Sequence, residues 1–412
     1  MKRVLMIAYH FPPLAGSSGI QRTLRFARYL PEFGWHPIVL TAHPRAYLHV
    51  SDDQLVVIPP GVEVIRAPAW DTSRHFAVAG RYPAMLARPD RWISWWLGAV
   101  WKGMSAIRRL QPAAIWSTYP IATAHLIGAT LARRSGLPWI ADFRDPMAQP
   151  GYPPDPAIWK SFEKIEREAA THACCATFTT PSAVKVYRER YPKNADGMIL
   201  LENGYDEETF TEATLVEPLN PGRLTLLHSG IVYPSERDPT QLFEALSYLK
   251  ETHPDLFARV VIRFRSPVHD VMLKDFAQHY NVVEAIEIKP PVSYLDALHE
   301  MLCADGLLIL QAANCNAQIP AKLYEYLRAG QPVLALTDPV GDTAHVVRRA
   351  GIEAIAPLDD AQAIASVLAQ FVEKPGDHTL PSVAAVAAAS RRERTRQLSG
   401  ILDLAAGGMQ TR

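Results

Sequence analysis

One segment near the carboxyl end of the chain combines a lysine and a glutamate at a spacing that suits nucleotide binding. Residues 318–333 predict a loop, a short helix and a strand, with Lys322 in the first turn of the helix and Glu325 further along it. Lys322 adds its charge to the positive amino end of the helix, where anions bind well. A carboxylate at Glu325 can accept two hydrogen bonds from a ribose diol. On spacing alone, an exposed amphipathic helix is the alternative to a nucleotide site.

A glycine-containing loop near the amino end offers a second place for phosphate. Gly16, Ser17, Ser18 and Gly19 lie between a predicted strand and a predicted helix, so their backbone N–H groups could face an anion. A flexible turn explains the loop equally well. The second predicted strand does not end in an acidic residue, as a dinucleotide fingerprint requires, so a dehydrogenase is disfavoured.

Several common catalytic motifs are absent from the sequence. It has no G-K-[ST] phosphate loop, no G-x-S-x-G nucleophile elbow and no H-E-x-x-H zinc helix, which disfavours NTPases and hydrolases. It also has no D-x-D pair of the kind that holds a divalent metal on a donor diphosphate. We therefore expect no metal and no other cofactor. Arginine, lysine and helix ends must then neutralise any diphosphate.

The elements that must position these residues alternate between strand and helix. Apolar runs followed by helix-period segments occur twice in the first part of the chain, and each repeat predicts a βαβ unit. Such repeats form a parallel, doubly wound sheet. The predicted strands lie at 3–9, 38–41, 114–118 and 139–143, with helices from Ile20 to a stop at Gly34 and at 121–135.

A second series of the same kind follows a break in the pattern. Residues 206–222 are acidic and contain prolines, so we expect a linker there between domains at 1–205 and 223–380. Residues 381–412 are expected to hold a C-terminal helix that crosses back to the first domain. The predicted strands of the second domain lie at 224–229, 259–264, 283–288, 306–310 and 332–336, with helices at 240–249, 294–302, 321–329 and 382–404.

Length and composition indicate a folded protein of two domains. The 412 residues are 48% hydrophobic and 20% charged, which supplies enough apolar material for two cores. The 42 basic and 42 acidic residues cancel, so nucleic acid is not an expected partner. The four cysteines, Cys174, Cys175, Cys303 and Cys315, form no C-x-x-C pair, and no apolar run suits a membrane span or a signal peptide. We expect a cytoplasmic protein.

Several segments together resemble the family 4 glycosyltransferases of the GT-B fold, over nearly the whole chain. The resemblance implies an α/β protein in which two doubly wound, Rossmann-like domains face each other across a cleft that holds the active site. It also implies transfer of a sugar from a nucleoside diphosphate sugar with retention of configuration. The matching segments are the loop of Gly16 to Gly19, Ala141-Asp-Phe-Arg-Asp145, Asn203-Gly-Tyr-Asp206, His228-Ser-Gly230 followed by Arg237, and Glu325-Tyr-Leu-Arg-Ala-Gly330.

The resemblance also assigns the residues that hold the donor. Glu325 matches the second glutamate of the E-x7-E motif, which implies ribose binding, whereas Ala317 replaces the first glutamate. Arg237 stands where the family has a phosphate-binding lysine. Ile231 replaces the arginine that commonly follows the glycine, and Lys322 can supply the missing cation. The expected donor-binding residues are Gly16, Ser17, Ser18, Gly19, Gly230, Arg237, Ile319, Pro320, Lys322, Leu323 and Glu325.

Arg144 and Asp145 are the candidate catalytic residues of the first domain. Arg144 stands where many relatives have a histidine that contacts the sugar, and a structural ion pair is the alternative for these two residues. The leaving diphosphate gains negative charge in the transition state, which Arg237, Lys322 and backbone amides can stabilise. Two other functions fit the same fold: a nucleotide-sugar epimerase, and a non-catalytic sugar-nucleotide-binding protein.

A basic, tryptophan-rich segment at 81–109 suggests an anionic membrane surface as a further partner. Trp92, Trp95, Trp96 and Ala99 fall along one stripe of a helix, so indoles could enter the headgroup region while cations face lipid. Packing of these indoles against the core is the alternative. We expect a glycan or lipid-linked acceptor used in polysaccharide assembly, at the inner face of the plasma membrane. The basic residues are Arg81, Arg88, Arg91, Lys102, Arg108 and Arg109.

Overall fold

The chain forms two compact units in the computed structural model, which describes residues 1–16, 19–211 and 217–407. The first unit consists of residues 1–202 together with 391–407, and the second consists of residues 203–390. The chain therefore passes between units after Glu202 and again after Ser390. The sequence predicts these two boundaries after residues 205 and 380.

Seven parallel strands form the sheet of the first unit, in which the strands are apolar and largely buried. They are β1 (Lys2–Ile7), β2 (Trp35–Ala42), β3 (Glu63–Ala67), β4 (Ala114–Thr118), β5 (Trp139–Arg144), β6 (Cys175–Phe178) and β7 (Met198–Leu200). Their order is β3-β2-β1-β4-β5-β6-β7, so the winding reverses between β1 and β4. In open sheets of this kind, ligands bind at the carboxyl edge beside that reversal.

Helices cover the first sheet and close its core. They are α1 (Gly19–Tyr29), α2 (Thr72–His75), α3 (Trp95–Leu110), α4 (Ala122–Ser135), α5 (Pro156–His172) and α6 (Pro181–Arg190), with α16 (Arg391–Gly407) returning from the end of the chain. The expected helix stop at Gly34 is present, because this residue has a left-handed φ of 82°. No helix within the described part of the chain is both long and apolar enough to cross a membrane.

Six parallel strands form the sheet of the second unit, in the order β10-β9-β8-β11-β12-β13. They are β8 (Leu224–Ser229), β9 (Val260–Arg265), β10 (Ile286–Lys289), β11 (Gly306–Gln311), β12 (Val333–Thr337) and β13 (Ile355–Ala356). The helices are α7 (Glu207–Thr211), α8 (Thr240–Thr252), α9 (Pro254–Phe257), α10 (Asp270–His279), α11 (Tyr294–Cys303), α12 (Lys322–Ala329), α13 (Asp342–Arg349), α14 (Ala361–Glu373) and α15 (Val383–Ala388). The winding here reverses between β8 and β11.

The final helix and the linker differ from their predictions. The final helix, expected to run unbroken over 382–404, is divided into α15 and α16, with the break where the chain enters the first unit. The expected linker at 206–222 begins with α7, whose Phe210 is buried in the second unit. Burial of an apolar side chain explains a helix in an otherwise acidic segment.

A buried ion-pair network joins α1, β5 and α16 within the first unit. The Arg22 guanidinium donates to both oxygens of Asp142 at 2.9 and 2.7 Å, and also to the carbonyls of Leu201 and Glu202 at 2.9 and 3.2 Å. The Glu202 carboxylate in turn accepts from Arg394 of α16 at 2.6 Å. These pairs hold both points at which the chain leaves and re-enters the first unit.

The tryptophans of residues 81–109 face mainly inward, so the stripe that we expected to meet lipid was predicted wrongly. Trp95 and Ala99 are fully buried in the first core. Trp96 is half-buried, and its indole Nε1 donates to Thr130 Oγ1 of α4 at 3.0 Å. Packing against the sheet, the alternative that we had considered, decides the orientation of α3. Leu97 and Trp101, on its other side, are 68% and 66% exposed.

Candidate active site

A histidine, a lysine and a glycine meet at the carboxyl edge of the second sheet. His228 is fully buried near the end of β8, and Lys322 opens α12. The His228 Nδ1 lies 3.0 Å from the Leu308 carbonyl oxygen, and its Nε2 lies 3.0 Å from Lys322 Nζ. Because a carbonyl can only accept, Nδ1 carries the imidazole proton. The Nε2 lone pair therefore accepts a hydrogen bond from Lys322.

The charges of this group shift the pKa values of both partners. Burial and the neighbouring Lys322 ammonium lower the pKa of His228 well below its usual value, so the imidazole is neutral. Burial first, and then the Arg237 guanidinium, lower the pKa of Lys322 well below its usual value, whereas the Glu325 carboxylate acts in the opposite direction. Each of these charges is therefore close enough to act on the lysine. Arg237 is held by a hydrogen bond to the Ile231 carbonyl at 2.6 Å and lies over the Tyr233 ring.

Gly230 keeps the space beside Lys322 open. Its φ of 107° belongs to the region that favours glycine, and a Cβ built on it would lie 3.2 Å from Lys322 Nζ. A side chain at this position would crowd the ammonium. The absence of a Cβ leaves a path by which a ligand oxygen can approach both the lysine and the backbone.

Glu325 lies on α12 after Lys322 and is half-buried. Its Oε1 accepts a hydrogen bond from the Tyr294 hydroxyl at the start of α11, at 2.7 Å. The next residue, Tyr326, is fully buried, and its hydroxyl accepts from the Ser229 backbone N–H at 2.9 Å. This bond ties the helix to the end of β8, which fixes the position of the carboxylate relative to the strand.

The other expected donor-binding residues of the second unit surround the start of α12. The Pro320 carbonyl accepts from the Leu323 N–H at 3.0 Å, and this bond begins the helix. The Leu323 side chain is fully buried in the core, whereas Ile319 is half-buried against that core. Leu323 thus anchors the helix. Ala317, at the position of the missing glutamate, is exposed.

A second group of candidate residues lies at the carboxyl edge of the first sheet. Gly16 has a left-handed φ of 75°, and Gly19 begins α1. A Cβ on Gly19 would lie 2.4 Å from His10 Nδ1 and 3.3 Å from Arg144 Nη1, so these three residues are packed together. Burial and the Arg144 charge lower the pKa of His10 to about 4, so its imidazole is neutral near pH 7. The remaining two loop residues, Ser17 and Ser18, lie outside the described residues.

Arg144 and Asp145 lie where β5 ends. Arg144 has a left-handed φ of 63°, and its carbonyl accepts from both the N–H and the hydroxyl of Thr179, at 2.8 and 2.9 Å. Its buried Nε has no hydrogen-bond partner among the described residues. Within that same part of the chain, no salt bridge joins Arg144 to Asp145, although the Arg144 charge opposes the rise that burial causes in the pKa of Asp145. Non-glycine residues in this backbone region occur often at functional sites.

Three residues of these groups were missing from the predicted site. His228 lies in the segment His228-Ser-Gly230, and its position at the end of an apolar strand is the sequence feature that could have identified it as a site residue. His10 directly follows the first predicted strand but is separated from Gly19 by a proline-rich turn. Tyr294 meets Glu325 across 31 residues of sequence, which no local pattern reveals. Within the described residues, no cluster of three or more His, Cys, Asp or Glu could hold a metal ion.

Two kinds of similarity place this arrangement among known proteins. Residues 18–204 match the family described as a glycosyl transferase 4-like domain. The chain is a glycosyltransferase. This match covers most of the first unit, including Arg144 and Asp145, but not residues 1–17 or α16. No curated protein matches the sequence of the glycosyltransferase.

Solved structures share the fold of this glycosyltransferase along its length. A glycosyltransferase from Rickettsia africae ESF-5 has a TM-score of 0.66 at 11% identity, with 98% of each chain covered. Anabaena Alr3699/HepE in complex with UDP and glucose has a TM-score of 0.64 at 11% identity, covering 98% of this chain and 100% of that one. WaaG, a glycosyltransferase involved in lipopolysaccharide biosynthesis, has a TM-score of 0.58 at 14% identity, covering 99% and 100%. The prediction of two Rossmann-like domains of the GT-B type is confirmed.

Proposed function

We propose that this glycosyltransferase moves a sugar from a nucleoside diphosphate sugar to an acceptor hydroxyl, with retention of the anomeric configuration. The observation that carries the proposal is the meeting of Lys322, Gly230 and Glu325 at one edge of the second sheet. A diphosphate can approach the ammonium beside the glycine, and the carboxylate of the same helix can accept hydrogen bonds from a ribose. The complex of HepE with UDP and glucose supports a donor of this class for the fold.

Metal independence forms part of the proposal, because two cations lie where the diphosphate would bind. Lys322 donates to His228, and its ammonium has further N–H groups for phosphate oxygens. Arg237 uses Nη1 to hold the Ile231 carbonyl, so its other donors can reach an anion. Preorganised cations of this kind stabilise the negative charge that develops on a leaving diphosphate.

The first unit supplies the candidate residues for the transferred sugar. Arg144 and Asp145 stand at the carboxyl edge of β5, and Arg144 lies beside Gly19 and His10. Thr179 fixes the Arg144 backbone through two hydrogen bonds, so the guanidinium starts from a defined position. We assign sugar contact to Arg144 and Asp145 on this geometry and on the resemblance.

A donor screen followed by a turnover assay tests the proposed function. A ligand that binds only the native state raises the melting temperature, so UDP, GDP or ADP, with the corresponding sugar nucleotides, should do so for one base. Transfer should require an acceptor, continue in EDTA, and give a product with the donor's anomeric configuration by NMR. Loss of transfer in EDTA with recovery in Mn²⁺ would contradict metal independence, and an inverted product would contradict retention.

The same assay separates the two other functions that fit the fold. An epimerase would release free nucleotide from its sugar nucleotide in the absence of any acceptor. A sugar-nucleotide-binding protein would show the thermal shift without turnover under any condition. The match of residues 18–204 to a glycosyl transferase domain favours transfer, so we expect nucleotide release only when an acceptor is present.

We propose a lipid-linked acceptor in polysaccharide or glycolipid assembly, reached from an anionic membrane surface at the inner face of the plasma membrane. The involvement of WaaG in lipopolysaccharide biosynthesis supports an acceptor of this class. Exposed apolar side chains occur within the basic segment 81–109: Tyr82, Met85, Leu86, Leu97 and Trp101. Apolar side chains among arginines and lysines are typical of reversible docking to anionic lipid.

Vesicle sedimentation tests the membrane part of the proposal. The protein should bind vesicles that contain phosphatidylglycerol more strongly than phosphatidylcholine vesicles, and salt should weaken that preference. Leu97→Ser with Trp101→Ser should reduce binding, because both side chains are exposed. Tyr248→Ser is the matched control, since Tyr248 is a 50% exposed aromatic residue on α8 of the second unit. Equal binding to both vesicle types would contradict docking through anionic lipid.

A further inference from the structure

We propose that His228 is a positioning residue that directs the Lys322 ammonium towards the donor diphosphate. This inference rests on the proposed function, because it assumes that Lys322 contacts phosphate. His228 itself is fully buried on β8 and is not placed to touch the donor. Its effect on the ligand is exerted through the single hydrogen bond from Lys322 Nζ to Nε2.

The hydrogen bonds of the imidazole give it a fixed orientation and a fixed tautomer. Nδ1 lies 3.0 Å from the Leu308 carbonyl on the neighbouring strand β11, so it must donate there. The Nε2 lone pair then points away from the strand towards Lys322 at 3.0 Å. A neutral imidazole is the form that can accept this bond, and burial together with the lysine charge keeps the pKa of His228 low enough to maintain it.

Among the described residues, the hydrogen bond to His228 is the one that the flexible Lys322 side chain makes, and the Glu325 carboxylate adds an attraction through charge. Lysine has four rotatable bonds in its stem, and each one fixed on ligand binding costs entropy. The Arg237 cation repels the ammonium, as its effect on the lysine pKa shows. The hydrogen bond to His228 opposes this repulsion and keeps Nζ next to Gly230, where a Cβ would be only 3.2 Å away. The ammonium is therefore in place before the diphosphate arrives.

Two substitutions of His228 separate its two hydrogen bonds. In His228→Asn, the amide nitrogen takes the place of Nδ1 and can still donate to Leu308, but no atom reaches Lys322. In His228→Gln, the longer amide reaches the place of Nε2 and can still accept from Lys322. If His228 positions the lysine, the asparagine variant should lose diphosphate affinity and the glutamine variant should retain most of it.

The readout is the affinity for a nucleoside diphosphate compared with the affinity for the nucleoside alone. UDP, GDP and ADP are titrated into the full-length protein by calorimetry, with uridine, guanosine and adenosine as the matched ligands. A hydrogen bond to a charged group is worth enough to change affinity about tenfold or more. His228→Asn should therefore weaken the diphosphate about tenfold and leave the nucleoside unchanged. General damage to the fold would weaken both ligands together, and a thermal melt checks that the variant is folded.

A double-mutant cycle with Lys322→Met tests whether His228 acts through the lysine. In the Lys322→Met background the ammonium is gone, so adding His228→Asn should change diphosphate affinity by less than about twofold. Additive losses from the two substitutions overturn the inference, as does a His228→Asn variant that binds the diphosphate like wild type. If wild-type protein binds none of the three nucleoside diphosphates, the proposed function fails, and this inference fails with it.

Discussion

Replacing Arg22 by methionine should strongly destabilise the first unit, because it leaves a fully buried carboxylate without its cation. Asp142 has no exposed surface and accepts two hydrogen bonds from Arg22, at 2.9 and 2.7 Å, and one each from the hydroxyls of Thr118 and Thr177, at 2.7 Å. Burial alone would raise the pKa of Asp142, but the Arg22 guanidinium and the two hydroxyls hold it below its usual value. Breaking a buried pair of this kind costs about 3–5 kcal/mol of unfolding free energy.

Protonation of Asp142 gives the variant a second way to avoid a buried, unpaired charge. At pH 7 the variant can neutralise the carboxyl, which for a group with a reference pKa near 3.9 costs about 4 kcal/mol. The folded variant then has a raised pKa at this carboxyl, so its destabilisation relative to wild type should shrink as the pH falls from 7 towards 5. The same loss of stability at both pH values would refute this account of Asp142.

Urea unfolding followed by tryptophan fluorescence measures the stability of the first unit, which contains Arg22 and Asp142. All nine tryptophans lie between Trp35 and Trp159, so the signal reports the first unit alone. Arg22→Met should lower the unfolding free energy by about 3–5 kcal/mol at pH 7. In the Asp142→Asn background the same change should cost much less, because no charge is left unpaired. A loss below about 1 kcal/mol in Arg22→Met, or equal losses in both backgrounds, would contradict the structure's account of the pair.

Three further predictions concern single residues. Gly19→Ala would place a Cβ 2.4 Å from His10 Nδ1, so the urea midpoint of the first unit should fall by the equivalent of about 1–3 kcal/mol; an unchanged midpoint argues against this packing. Gly230→Ala strains a φ of 107° and crowds Lys322, so it should lower the affinity for the nucleoside diphosphate more than the affinity for the nucleoside. Equal losses of affinity for both ligands would count against the site. Burial lowers the pKa of His125 from 6.5 to about 4, so the unfolded chain binds this proton at a higher pH than the folded protein does. The unfolding free energy should therefore fall by up to about 3 kcal/mol as the pH drops from 6.5 to 4. His125→Gln should remove this part of the pH dependence, and a variant with the wild-type pH profile would refute the prediction.

The alternation of strands and helices was predictable because parallel sheets bury both faces of each strand. Residues 224–229 and 114–118 are continuous apolar or β-prone runs, and the structure contains β8 and β4 at these positions. Gly34 and Gly136 ended helices as expected, since each has a left-handed φ. Local pattern was sufficient wherever an element buries its own side chains against one core.

The orientation of α3 and the partners of Glu325 and Lys322 depend on contacts distant in sequence. Trp95 belongs to a helix that is apolar on more than one side, so the helical period alone could not decide which indoles face the core. The partner of Glu325 is Tyr294, and the partner of Lys322 is His228, 94 residues earlier. Only the sheet order brings β8, β11 and α12 together, and that order is a tertiary property.

Calorimetric titration of the nucleoside diphosphate selected by the donor screen is the most direct test of the central claim. The account predicts binding to wild-type protein, with affinity lowered about ten- to a hundredfold both in Glu325→Ala, through lost ribose contacts, and in Lys322→Met, through lost phosphate contacts. Only the Glu325 change should also weaken the free nucleoside. Wild-type affinity in both variants would contradict the assignment of this edge of the second sheet as the donor site.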